Sequence, residues 1–251
     1  MLMAWAGGAA RPRSTRARRL MPSALIVAVA VLLAGCAPAA ATVEGDGVKR
    51  LYDLFLVVGA VIFVIVAGLI GWSIVRYRAP QDADLPPQTH ANVRLELIWW
   101  ALPTILVIIL FFLTAGVLNR VDARANEGES LVVRVTGFQW QWQFDYEEAG
   151  VVITGTPDEP PIVVLPVDRP LTFLLDSPDV IHSFFVPQFL FKRDVIPGIE
   201  NRVDLTIQEP ATYTGQCAEF CGLLHDQMVF SIRAVSGQEF DAWLANQEPA
   251  Q

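Results

Sequence analysis

Five side chains in the carboxy-terminal part of the chain could bind a metal ion through sulfur or nitrogen. Cys217, Cys221, His225 and Met228 fall within twelve residues, and His182 lies 35 residues upstream. Two thiolates, two imidazoles and a thioether form a soft donor set, which suits copper better than magnesium or calcium. The residue types and their spacing therefore predict a copper site.

Two other uses of these residues stay open. Zinc takes closed tetrahedral sets of Cys and His, and Cys217, Cys221, His225 and His182 could supply one. The two cysteines could instead form a disulfide in an oxidising compartment. Met228 argues against zinc, because a thioether is a usual weak ligand of copper in electron transfer. A disulfide would leave His225 and Met228 unexplained.

The candidate ligands lie in a region whose pattern is typical of β-strands. Past residue 119, apolar and polar residues alternate, as at Leu131, Val133 and Val135, and such alternation indicates half-buried strands. Strands are predicted over residues 131–136, 138–145, 162–165, 171–176, 181–186, 203–207 and 228–234, and a short helix over 238–246. Many short strands separated by Pro and Gly predict a β-sandwich or barrel over 119–251.

Two long apolar segments precede this region. Residues 54–75 and 97–118 are each 22 residues long and carry no charge. At 1.5 Å per residue, each helix would span roughly 33 Å, which is enough to cross the hydrocarbon core of a bilayer. A buried helical hairpin in a soluble fold is the alternative, but such long uncharged runs are rare there. We predict two transmembrane helices within residues 51–118.

Arginines near these segments predict the orientation in the cell membrane. Arg76 and Arg78 follow the first segment and Arg94 precedes the second, so the loop 76–96 is expected to be cytoplasmic. Both flanking regions, 36–50 and 119–251, are then expected on the extracytoplasmic side.

The amino terminus resembles an export signal. Five arginines precede Leu20, and a charge-free run over residues 20–35 follows them. The run ends in Leu33-Ala-Gly-Cys36, which resembles the bacterial lipoprotein cleavage box. We expect residues 1–35 to be a signal peptide and the mature chain to begin at a lipidated Cys36. An ordinary signal peptide or a first membrane helix is the alternative.

Charge is distributed unevenly along the chain. The formal net charge is −8, but residues 119–251 alone contain eight basic and twenty acidic residues, a formal charge of −12. An acidic surface argues against nucleic acid as a partner and favours cations or a basic protein. Three cysteines are too few for a disulfide framework.

Taken together, the membrane segments and the metal motif resemble subunit II of the haem-copper cytochrome c oxidases. The family signature is a histidine followed by C-x-E-x-C-x-x-x-H-x-x-M on a cupredoxin-like barrel, and residues 182 and 217–228 fill every position. Further matching segments are 96–99, 139–142, 179–183, 186–187 and 192–198. The likeness covers most of the chain after Leu51, and the amino-terminal signal lies outside it.

The resemblance implies a binuclear CuA centre with two copper ions. Cys217 and Cys221 would bridge both coppers, and the two histidines would be terminal ligands. Met228 would bind one copper and the backbone carbonyl of Glu219 the other. The resemblance also implies that the carboxylate of Glu219 ligates a magnesium shared with subunit I, a role that suits a hard cation. The alternative for that side chain is a solvated loop charge.

Two further residues receive roles from the resemblance. Trp140 would be the surface residue where an electron enters from cytochrome c, although Gln141 stands where many relatives carry Tyr. By periodicity alone, Phe138, Trp140, Trp142 and Phe144 share one side of a strand, which favours plain core packing. Glu96 matches a glutamate at the mouth of a proton path into subunit I, but a carboxylate at a membrane edge is more often an interfacial anchor.

The implied function is electron entry into a terminal oxidase. The subunit would accept electrons from cytochrome c, soluble or held in a supercomplex, and pass them to haem in subunit I, where O₂ reduction is coupled to proton translocation. Quinol oxidase subunits lack the copper ligands, nitrous oxide reductases need a large additional domain, and fused cytochrome c domains carry C-x-x-C-H, which does not occur here. A lipid-anchored binding protein with incidental zinc is the alternative from a different class.

Overall fold

A computed structural model of the protein describes residues 39–78, 88, 90–126 and 128–248. The predicted signal peptide and Cys36 lie outside the described residues, as do residues 79–87 and 89 of the predicted cytoplasmic loop.

Two long helices contain the two apolar segments. Helix α1 comprises Val43–Arg76 and helix α2 comprises Val93–Val121. The side chain of Thr42 caps α1 by accepting a hydrogen bond from the Gly45 N–H, and Asn92 caps α2 through the Leu95 N–H. Both helices are long and apolar enough to cross a membrane, and the most apolar 18-residue window of each is 0% buried within the chain. These apolar surfaces require lipid or another protein around them.

Helix α1 begins well before its apolar segment and contacts the β-domain. Thr42 forms a β-bridge with Ile207. The Glu44 carboxylate accepts a hydrogen bond from the Thr206 N–H at 3.0 Å, and Asp46 accepts one from the Gln208 side chain at 3.0 Å. Residues 43–50 are therefore helical, and they are attached to the domain that holds the candidate ligands.

Ten strands form two five-stranded sheets that face each other. They are β1 (Leu131–Phe138), β2 (Gln141–Tyr146), β3 (Val151–Thr154), β4 (Ile162–Pro166), β5 (Pro170–Asp176), β6 (His182–Val186), β7 (Phe191–Val195), β8 (Asn201–Thr206), β9 (Thr212–Cys217) and β10 (Val229–Val235). One sheet has the order β3-β2-β1-β5-β8 and the other β4-β10-β9-β6-β7. Pairing is parallel for β1 with β5 and β4 with β10, and antiparallel elsewhere. Helix α3 (Gly237–Leu244) follows. The predicted β-sandwich is confirmed.

The core between the sheets is aromatic. Trp142, Phe144, Phe184 and Phe230 are fully buried, and the rings of Phe184 and Phe230 stack with centroids 4.9 Å apart. Alternate residues of β1 are buried, as the apolar periodicity predicts. The core lies directly beneath the candidate ligands, because Phe184 pairs with Cys217 across β6 and β9.

The prediction of one continuous strand over residues 138–145 is wrong, because this segment belongs to two paired strands. The chain turns at Gln139 and Trp140, so that Phe138 ends β1 and pairs with Gln141 at the start of β2. Trp142 is buried with Phe144, whereas Trp140 is partly exposed. The four aromatic residues therefore do not form one buried stripe.

Three strands were not predicted, and one of them carries a candidate ligand. Strand β9 has its buried positions at Tyr213, Gly215 and Cys217, so a glycine interrupts the apolar alternation. Strand β7 contains three consecutive charged residues, Lys192 to Asp194, which conceal its pattern. The third, β3, is only four residues long.

Candidate metal centre

Two paired strands and one loop bring the candidate ligands together. His182 is the first residue of β6 and Cys217 the last residue of β9. Next to the pair of Phe184 with Cys217, the Ala218 N–H donates to the Ser183 carbonyl at 3.0 Å. Pairing of the two strands therefore makes residues 35 apart in sequence adjacent in space. The loop from 218 to 228 supplies the other ligands before β10 begins.

The two cysteine sulfurs lie at the centre of the cluster. Cys217 Sγ is 3.9 Å from Cys221 Sγ and 3.9 Å from Nδ1 of His182. Cys221 Sγ is 3.6 Å from Nδ1 of His225 and 3.8 Å from the Met228 sulfur. A metal–thiolate bond is about 2.3 Å long, so sulfurs 3.9 Å apart can share one ion and can bridge two. Each thiolate therefore has its own imidazole beside it.

The sixth predicted ligand is a backbone oxygen. The carbonyl of Glu219 lies 3.2 Å from Cys217 Sγ, while the Glu219 side chain is exposed. The structure therefore brings all six predicted ligands together, and we call them the donor set: His182, Cys217, Glu219 through its carbonyl, Cys221, His225 and Met228.

The geometry bears on the two alternative uses of these residues. Cys217 and Cys221 are free thiols, and their 3.9 Å separation is far from the roughly 2.05 Å of a disulfide. Met228 is 1% exposed and its thioether faces Cys221. A buried thioether beside a thiolate adds nothing that zinc requires, whereas copper accepts it as a weak ligand. The donor set fits copper.

The two thiols differ in acidity because of their surroundings. Burial favours the neutral form of both. At Cys217, hydrogen bonds with His182 and with the backbone of Glu219 outweigh the effect of burial. The pKa of this thiol therefore falls below its usual value. At Cys221, burial and the adjacent Cys217 sulfur raise the pKa above its usual value. The positive charge of a metal would compensate for loss of the second proton.

Asp179 orients His182, a role that the sequence did not reveal. Its Oδ1 accepts a hydrogen bond from Nε2 of His182 at 3.0 Å, and its other oxygen accepts one from the Gln139 N–H at 2.8 Å. Burial alone would raise the pKa of Asp179, but hydrogen bonds from Gln139, His182 and Val180 lower it, so the carboxylate is ionised. Because a carboxylate only accepts, Nε2 of His182 carries a proton, and in the neutral imidazole Nδ1 is then the nitrogen with a lone pair that a metal could bind. The match of residues 179–183 to the subunit II family was the one feature of the sequence that could have indicated this role.

The turn at residues 139–140 and the start of β2 hold the ligand loop. The Cys221 carbonyl accepts hydrogen bonds from the Gln139 side chain at 2.8 Å and from the Trp140 indole at 3.2 Å. The Trp142 indole donates to the Met228 carbonyl at 3.3 Å. Gly222 has a φ of +121°, and a Cβ there would lie 3.2 Å from the Trp140 ring. Glycine suits this position because it accepts the backbone angle and leaves room for the indole.

Glu96 and His90 lie on the other side of the predicted membrane segments. Glu96 is exposed in the first turn of α2, and its Oε1 accepts a hydrogen bond from the Asn92 N–H at 3.2 Å. This contact, together with the Asn92 cap, gives the carboxylate a helix-capping role. His90 is exposed. The role of Glu96 in a proton path stays a prediction.

Comparison with known proteins identifies similar sequences along most of the chain. The family model for cytochrome c oxidase subunit II, transmembrane domain, matches residues 30–115, and that for the periplasmic domain matches residues 158–235. A probable cytochrome c oxidase subunit 2 from Nocardia farcinica is 30% identical, over 94% of this chain and 84% of that protein. The cytochrome c oxidase subunit 2 of Alkalihalophilus pseudofirmus is 36% identical, over 80% of this chain and 59% of that protein.

A solved structure is also similar. The crystal structure of the periplasmic domain of subunit II of cytochrome oxidase from Bradyrhizobium japonicum is 31% identical in sequence, with a TM-score of 0.43. The similarity covers 47% of this chain and 92% of that one.

Proposed function

Since the chain belongs to the family of cytochrome c oxidase subunit II, we propose that its donor set binds two copper ions and that the protein admits electrons to the oxidase. As a member of this family it is a membrane subunit of a haem-copper oxidase with a periplasmic domain. The proposal adds the copper centre, the residues that hold it and the direction of electron flow.

One observation carries the proposal. Two free thiols lie 3.9 Å apart, and Nδ1 of a different histidine lies near each of them. Bound copper would supply one-electron uptake and release, with the electron shared by both ions through the bridging sulfurs. The paired strands β6 and β9 and the braced loop keep the ligands in place, as a preorganised site requires.

Copper loading of the full-length chain in detergent tests the proposal. We expect two coppers per chain and the EPR spectrum of a mixed-valence pair, because the two thiolates can bridge both ions. The measurements are the metal-to-protein ratio and the absorption and EPR spectra. One zinc and no copper, after expression with copper available, would overturn the proposal in favour of the zinc alternative.

Asp179→Asn should weaken copper retention by about 10- to 100-fold, the usual cost of losing a residue that orients a ligand. An amide can turn its N–H₂ toward His182 and favour the wrong tautomer, in which Nδ1 carries the proton. Retention is measured by competition with a copper chelator of known affinity. Asp158→Asn is the charge-matched control, since Asp158 is exposed in a loop. Equal retention in both variants would show that Asp179 does not position His182.

Two features of Trp140 support a role in electron entry. Its ring is partly exposed, and its indole N–H donates to the carbonyl of the ligand Cys221. We propose that this residue receives the electron from cytochrome c. The acidic region 119–251, with its formal charge of −12, would attract a basic cytochrome over distances comparable to the Debye length, roughly 8 Å at physiological ionic strength.

Trp140→Phe in the assembled oxidase should slow electron uptake from reduced cytochrome c and leave the copper spectrum unchanged, because it removes the indole contact and no ligand. Added salt should slow the same second-order reaction. Stopped-flow kinetics measure both effects. Trp243→Phe is the control, because Trp243 on helix α3 packs against Tyr146 and Phe240. Uptake that is insensitive to Trp140→Phe and to salt would show that Trp140 serves packing and that the donor is held by fixed contacts.

Two further roles are proposed from the family. The exposed Glu219 carboxylate would ligate magnesium together with residues of subunit I, while Glu96 would lie near the mouth of a proton path. Other oxidase subunits and cytochrome c are the proposed partners.

A further inference from the structure

We infer that the outer end of the two transmembrane helices binds an anionic phospholipid, with its phosphate between Arg50 and Arg120 and an acyl chain in the groove between α1 and α2. This inference does not depend on the copper centre.

The groove lies between the two helices. Its volume is about 330 Å³, at the lower end of the range for small-molecule sites. The apolar residues that line it are Leu51, Leu54, Phe112, Leu113 and Val117. Its shape follows from two glycines. A Cβ on Gly47 would lie 3.2 Å from Val117, so the helices approach closely there, whereas a Cβ on Gly116 would meet nothing within 4 Å. The groove therefore remains open beside Gly116.

Two arginines line the same groove. Arg50 and Arg120 are both exposed, and among the described residues neither guanidinium has a hydrogen bond or an ion pair. The three acidic residues of α1 accept hydrogen bonds from other groups, although Glu44 and Asp46 also line an adjacent pocket together with Arg50 and Arg120. Glu44 accepts from the Thr206 N–H, Asp46 from the Gln208 side chain and Asp53 from Lys49. The groove therefore combines apolar walls with two arginine side chains that form no ion pair among the described residues.

The position of the arginines along the helices matches that of lipid phosphates. Arg50 precedes the first uncharged segment and Arg120 follows the second, so both lie at the outer interface of the proposed topology. Basic residues are biased toward the cytoplasmic side, so a pair on the outer side is unusual. A guanidinium binds phosphate in a bidentate geometry, and two of them can hold one phosphodiester. An apolar helix of another subunit would fill the groove but provide no anion.

Titration of the full-length chain with phosphatidylglycerol, followed by native mass spectrometry, tests the inference. We expect one tightly retained phosphatidylglycerol per chain, and weaker retention of zwitterionic phosphatidylcholine. Arg50→Gln combined with Arg120→Gln should lower the affinity for phosphatidylglycerol by roughly tenfold or more. Arg124→Gln is the matched control, because Arg124 is an exposed arginine four residues past Arg120, beyond the end of α2, and does not line the groove.

Gly116→Leu tests the contribution of the apolar groove separately from that of the two arginines. The new side chain would fill the groove and should weaken phosphatidylglycerol retention with no change in charge. Copper content and helical circular dichroism show whether each variant is folded. Inorganic phosphate competing as well as phosphatidylglycerol would overturn the acyl-chain assignment. Equal retention by the wild type and the double arginine variant would overturn the inference, as would crosslinks from the groove to another subunit in a lipid-free intact oxidase.

Discussion

Replacing Cys217 or Cys221 with serine should abolish the mixed-valence EPR signal of the copper-loaded protein. A serine hydroxyl does not ionise at neutral pH and cannot replace a bridging thiolate. Among the described residues, Cys217 and Cys221 are the only cysteines, so no other thiol can take over. The expected result is at most one weakly held copper per chain, measured by metal analysis and EPR spectroscopy.

Met228→Leu is the matched comparison for the cysteine variants. Met228 is as buried as the cysteines, but a thioether is a weak ligand that tunes the potential more than it holds the metal. This variant should keep both coppers and show an altered spectrum and potential. If Cys221→Ser instead retained two coppers and a mixed-valence signal, the bridging arrangement would be incorrect, even if the family assignment stood.

Gly215→Ala should destabilise the β-domain by roughly 2–3 kcal/mol, because overpacking a tight core typically costs that much. A Cβ at Gly215 would overlap the Cζ, Cε1 and Cε2 atoms of the Phe230 ring. Phe230 is fully buried against Trp142, Phe144 and Phe184, so its ring has no free space to move into. The expected fall in the melting temperature of the β-domain is about 5–10 °C, measured by circular dichroism.

Two further variants test whether overlap with the Phe230 ring causes the loss of stability in Gly215→Ala. Gly237→Ala should leave the melting temperature nearly unchanged, since a Cβ there would meet nothing within 4 Å. Combining Gly215→Ala with Phe230→Leu should recover part of the stability that Gly215→Ala loses, because the smaller side chain makes room for the methyl group. A stable Gly215→Ala protein would show that β9 and β10 can separate enough to accept it.

The chemistry and the membrane segments were readable from local sequence. Cys217, Cys221, His225 and Met228 lie within twelve residues, at the end of β9 and in the loop that follows it, so the chain itself brings them near one another. The two uncharged segments are likewise contiguous, and the helices of the structure contain both. Most strands were predicted because their apolar residues alternate over consecutive positions, as in β1 and β8. All of these signals are carried by neighbours along the chain.

The tertiary structure decided what depends on residues far apart in sequence. Gly215 belongs to the buried face of β9 only because Phe230 covers it, so apolar periodicity could not show the strand that carries Cys217. Asp179 fixes the tautomer of His182 through a side-chain contact that no spacing rule predicts. Trp140 does not belong to the predicted buried row of aromatic residues, because the chain turns there. Its indole instead donates a hydrogen bond to the carbonyl of Cys221, 81 residues away. Hydrogen bonds and ring packing between distant segments form only when the sheets assemble. Apolar periodicity indicates only which face of a single strand or helix is apolar.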